Sequence, residues 1–117
     1  MRTLMMLCLL GACASPVTDT DLEEARGRAE GWIAAVKVRD CGTLVTLSNT
    51  SMTEDECIPQ MVRLSERFIT VVGVQSVRED PQRPGAVLAQ VRVVEAAEEK
   101  LIDLVLVRTR RGWVVDF

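Results

Sequence analysis

Few side chains in this sequence are suited to chemistry. Histidine, which most often titrates near neutral pH, is absent, and so is tyrosine, a common donor in oxyanion sites. Four cysteines remain, Cys8, Cys13, Cys41 and Cys57, together with Asp103 and Asp116 in segments that read as strands. An isolated strand carboxylate usually faces solvent, so neither aspartate is assigned a catalytic role. No serine triad, glycine-rich phosphate cradle or metal-ligand cluster occurs. Cys41 and Cys57 are too far apart for a CxxC redox pair, and two thiols without histidine cannot complete a tetrahedral zinc site unless distant carboxylates join. The expectation is a chain that is not an enzyme, with no catalytic residue, cofactor or metal.

The first two cysteines sit in a patterned N-terminus. Met1-Arg2 is a short positive start, Thr3 to Leu10 is apolar, and Gly11, Ala12, Cys13, Ala14 and Ser15 are small. That is the three-part layout of a secretory signal. As a helix, Thr3 to Ala12 is about 15 Å long, half of the roughly 30 Å of hydrocarbon, so it is not expected to span a membrane. Leu10-Gly11-Ala12-Cys13 resembles the bacterial lipobox. The resemblance implies cleavage after Ala12 and a Cys13 thiol carrying acyl chains, palmitate among the usual ones; several chains hold a bilayer where one only visits it. Ala14 is not aspartate, which in such lipoproteins implies the outer membrane. Residues 1–12 then form a signal peptide, 13–19 a lipidated tether about 20 Å long at most, and 20–117 one domain.

Cys8 leaves with the signal and Cys13 takes the lipid. Cys41 and Cys57 are left as an even pair in an oxidising compartment, where a disulfide is favoured over free thiols or a metal. The bond would close a loop of about 16 residues, worth roughly 3 kcal/mol on the chain-entropy model.

The elements that must position these groups follow from periodicity. The 117-residue length suits one domain, and its 48% hydrophobic and 26% charged content suits a folded core with an ordinary surface. Thr20-Asp21-Leu22-Glu23 reads as a capping box. Leu22, Ala25, Ala29, Trp32, Ile33 and Val36 then recur at helical spacing up to about Arg39, with Asp40-Cys41-Gly42 as the stop. Gly27 and Gly31 weaken that helix unless another element packs closely there. Thr43 to Ser48 allows a short helical turn, and Asn49 to Asp55 is loop-like. Pro59 suits the first turn of a further helix carrying Met61, Leu64 and Phe68. Met52 and Met61 read as gap-fillers.

From Phe68 the texture is β-branched. Strands are expected near 68–77, 86–94, 101–110 and 113–117, with a Pro/Gly turn at 79–85 and a polar connection at 96–100. Gly73 inside the first of them marks a bulge. Val87, Ala89, Val91 and Val93 alternate onto one face. The expected fold is α+β, with N-terminal helices packed on a curved four-stranded antiparallel sheet.

This order of elements, with Val38-Arg39-Asp40-Cys41-Gly42-Thr43-Leu44 closing the first helix, Cys57 leading to a third helix and Arg111-Gly112-Trp113-Val114-Val115-Asp116 at the end, resembles the small lipoprotein branch of the nuclear-transport-factor-2-like superfamily. The resemblance implies a cone whose helices sit in the concave face of the sheet and leave a pocket of variable size. Enzymes of the superfamily line that cone with tyrosine, histidine or paired carboxylates, and this sequence departs from them there.

Trp32 and Trp113 are expected as core anchors, with pocket lining as the alternative. Arg108, Arg110 and Arg111 read as a solvated turn or an anion contact. The net charge is −3, and −4 once Arg2 leaves with the signal, so nucleic acid is not an expected partner. The expected partners are the envelope membrane, through the lipid, and either a small apolar ligand or another envelope protein. An assembly role and, more remotely, an isomerase- or dehydratase-like activity are the alternatives.

Overall fold

The computed structural model describes residues 16–66 and 69–116. The expected signal peptide and lipobox, with Cys13, and also Phe68, lie outside the described residues. The architecture of the described residues is α+β: two helices, a short strand and a third helix precede the four long strands of a five-stranded mixed sheet.

Helix α1 spans Asp19–Val38. Two overlapping Thr-x-x-acid patterns compete to start it, and the earlier one forms. Thr18 is the N-cap, its side chain accepting from the Asp21 N–H, while the Asp21 carboxylate accepts from the Thr18 N–H at 2.9 Å. The expected cap at Thr20 is therefore corrected. Asp21 also pairs with Arg108 at 2.8 Å, which Glu23 does not do. Val17 and Leu22, the N′ and N4 positions of a hydrophobic staple, both pack on the core.

The inward face of α1 is as expected: Ala25, Ala29, Trp32 and Ile33 are all buried. A Cβ at Gly31 would stand 3.3 Å from Leu47 Cδ1, so close approach of the next segment explains that glycine. At Gly27 no atom lies within 4 Å, and nothing in the packing explains it.

The helix stop differs from expectation. Arg39, not a glycine, takes the left-handed conformation (φ 58°), and its N–H returns to the Ala35 and Val36 carbonyls. Asp40 is then free to cap helix α2, Cys41–Thr46, by accepting from the Thr43 N–H at 3.1 Å and the Thr43 hydroxyl at 2.6 Å. Gly42 lies inside α2 instead of ending α1.

Strand β1 is only Ser48–Asn49, pairing parallel with the last strand. It makes the sheet mixed, which corrects the expected four-stranded antiparallel sheet. Two residues carry no alternation, so the pattern had no means of revealing it.

Helix α3, Glu54–Glu66, begins five residues before Pro59. Thr53 supplies the cap, its hydroxyl accepting from the Glu56 N–H at 3.3 Å, and Glu54, Asp55 and Glu56 suit the positive end of the helix. Pro59 thus sits in the second turn, where it withholds one backbone donor.

Strands β2 (Ile69–Glu79), β3 (Val87–Glu95), β4 (Glu98–Thr109) and β5 (Gly112–Asp116) give the sheet order β1-β5-β4-β3-β2. Register shifts between Val71 and Gly73 and again between Val74 and Ser76 place bulges where Gly73 marked one. The β3–β4 connection is corrected from five residues to two, Ala96 and Ala97, both at positive φ. Glu98 to Lys100 read as loop because they are charged. They are strand, and diagonal ion pairs Arg92–Glu99 and Glu95–Lys100 lie across the hairpin. At the β4–β5 turn Gly112 has φ 92°, a conformation that glycine adopts without strain.

Val87, Ala89, Val91 and Val93 face the helices and are at most 4% exposed. They join Leu106, Trp113 and Val115 in one core with α1.

Cys41 and Cys57 are bonded, with Cα atoms 5.8 Å apart, and tie α2 to α3. Both are buried. Among the described side chains of α3 only Cys57 and Met61 are buried, and the bond and Met61 fasten that helix to the rest of the fold. Cys41→Ala is expected to lower stability by about 2–4 kcal/mol in urea titrations. A loss below about 1 kcal/mol would mean that packing alone holds α3.

Candidate functional site

An open groove of about 520 Å³ runs where the end of α1, the middle of α3 and the start of β2 meet. Val36, Lys37 and Arg39 come from α1, Met61 from α3, and Ile69, Thr70, Val71 and Val72 from β2. Each element reaches the groove for a local reason. The left-handed turn at Arg39 stops α1 there, the disulfide holds α3 so that Met61 closes one wall, and the bulge at Val72 leaves that side chain 44% exposed. The Lys37 ammonium donates to the Val72 carbonyl at 2.9 Å, satisfying a backbone acceptor at the bulge. Among the described residues five of the eight that line it are apolar, Lys37 and Arg39 are cationic, and none is acidic.

The residues singled out from sequence fall elsewhere. Trp32 and Trp113 are core anchors, 8% and 2% exposed. The Trp32 indole N–H donates to the Ser48 hydroxyl at 3.0 Å, and that hydroxyl donates to the Leu44 carbonyl at 2.7 Å, a chain that fixes β1 under α1. Trp113 also borders a second open concavity, of about 550 Å³, with Glu24, Gly27, Arg28 and Gly112, whereas Trp32 lines neither.

Asp103 is exposed on the sheet face away from the helices, opposite Gln90. Asp116 is half-buried and ion-paired with Arg83 at 2.6 Å, with the Asn49 amide at 3.4 Å. Neither carboxylate enters the space under α1, which core side chains fill. Arg108, Arg110 and Arg111 at the β4–β5 turn are all exposed, as a solvated turn requires, and two of them also clamp the fold. Arg111 donates to the Thr46 and Ser48 carbonyls, and Arg108 pairs with Asp21 while lying 4.9 Å over the Trp113 ring. Among the described residues no cluster of three or more His, Cys, Asp or Glu could hold a metal ion.

Three aspartates have lowered pKa values. The Arg83 hydrogen bond holds Asp116 below the ordinary range, the Thr43 hydroxyl does so for Asp40, and the Thr18 N–H for Asp21. A depressed folded pKa stabilises the fold above the unfolded value, about 3.9, and that contribution is lost as pH falls through the lower folded values. Melting temperature should therefore drop between pH 5 and pH 2, and Asp116→Asn should flatten the drop. Identical profiles for the two proteins would remove Asp116 from the account.

No family model matches the chain, and no curated protein matches it. Among solved structures it is similar to a Campylobacter jejuni protein described as an NTF2-like transpeptidase, with a TM-score of 0.49 and 9% identity over 76% of this chain and 94% of that one. The expectation that this chain is not an enzyme is withdrawn, since a structure similar to it is named as a transpeptidase, a name that assigns no activity to this chain.

Sequence reasoning missed the groove. Met61 read as a gap-filler, and only the bulge signal at Gly73 pointed to this corner.

Proposed function

We propose that this chain is a bacterial envelope lipoprotein, tethered through Cys13 to the periplasmic face of the outer membrane, whose nuclear-transport-factor-2-like domain binds a small apolar ligand. The observation that supports the binding is the groove, where apolar side chains from three elements meet a few polar ones, as in many ligand sites. The tether reading rests on the basic start, apolar run and Leu10-Gly11-Ala12-Cys13. Among the described residues no helix is long and apolar enough to cross a membrane.

A second reading, recruitment of another envelope protein, is favoured by Ile58 and Val62. They lie one turn apart on α3 and are 53% and 46% exposed. Cross-linking in membranes separates the two. A ligand-binding domain is recovered as a single chain, whereas an assembly partner yields a defined adduct that Val62→Asp abolishes.

A further inference from the structure

The groove's charge and size restrict its occupant further. This step rests on the ligand-binding half of the proposed function and not on the tether. Its apolar residues are Val36, Met61, Ile69, Val71 and Val72, enough to desolvate a hydrocarbon chain. Among the described residues its charged lining is Lys37 and Arg39. The Lys37 ammonium is held at the Val72 carbonyl by one of its three donors, which leaves two directed elsewhere. A cationic edge on a chain of net charge −3 is a local reversal of sign. A volume of about 520 Å³ lies within the 300–1,000 Å³ range of small-molecule sites.

We infer that the groove binds the acyl chain of a single-chain anionic amphiphile, with the acid group at Lys37 and Arg39. A free fatty acid and a monoacyl phospholipid share this chemistry.

The test uses the Cys13→Ser chain, which has no lipid of its own to compete, below the micelle concentration of each probe. Dodecanoate, lauroyl lysophosphatidylglycerol and dodecyltrimethylammonium are titrated while amide NMR shifts are followed. Saturable shifts at Val36, Val71 and Val72 are expected, with at least one anionic probe binding ten-fold or more tighter than the cation. The tighter anion identifies the source. Val72→Asp should weaken the anion at least ten-fold without changing the melting temperature. Arg39→Gln, on an exposed side chain, should weaken it about three-fold and serves if Val72→Asp does not fold. Equal affinity for the cation, shifts confined to other regions, no saturation, or preference for an acidic apolar peptide would each overturn the inference. Membrane partition of the wild-type protein reports on the tether separately, so the two failures are distinguishable.

Discussion

Trp113→Ala is expected to cost about 3–5 kcal/mol, close to the whole stability of a small domain. The side chain is 2% exposed and packs in the core that joins the sheet to α1. Truncation opens a cavity between elements far apart in sequence, which cannot easily collapse because β5 is pinned on both sides. On one side it pairs with β4, and on the other β1 is held by Arg111 and the Trp32–Ser48 chain. Arg108 adds a smaller part. Its guanidinium lies over the ring and is 41% exposed, so its contribution is of the order of 0.5–1 kcal/mol. Urea denaturation of the single and double variants checks both statements. Trp113→Phe should lose less than Trp113→Ala, and Arg108→Ala should cost little more once the ring is gone. A loss below about 1 kcal/mol for Trp113→Ala would contradict the packing described.

The sequence was informative wherever one element carried its own period. The stripe from Leu22 to Val36 placed α1 and its buried face, and the alternation at Val87 to Val93 placed β3 and its inward face. The Gly73 bulge and the pairing of Cys41 with Cys57 were legible too, the latter from compartment and count. Boundaries failed where two local signals competed. Thr18 and Thr20 each begin a capping pattern, and a long-range partner, Arg108, reinforces the residue that completes the first of them. Asp40-Cys41-Gly42 looked like one stop, yet Arg39 makes the turn and Asp40 opens the next helix. Charge at Glu98 to Lys100 concealed strand, because ion pairs across a hairpin appear only once the hairpin is formed. The candidate site was the least legible part. It is assembled from residues 36–39, 61 and 69–72, which are ordinary in their own segments and acquire meaning only from the disulfide, the bulge and the helix end that bring them together.

The proposed tether makes the other large prediction, since it assigns all membrane affinity to one thiol. The described residues offer no spanning helix. The outward face of α1 carries both charge signs and the exposed Gly27, a poor interfacial anchor. Two or more acyl chains at Cys13 would hold the protein essentially permanently, and removal of the thiol should release it completely.

The most direct measurement is metabolic labelling with a clickable fatty-acid analogue, followed by detergent phase partition of wild type and Cys13→Ser. The account predicts a labelled wild-type protein in the detergent phase and an unlabelled, aqueous Cys13→Ser protein. A wild-type protein that carries no label and is released by osmotic shock would contradict it.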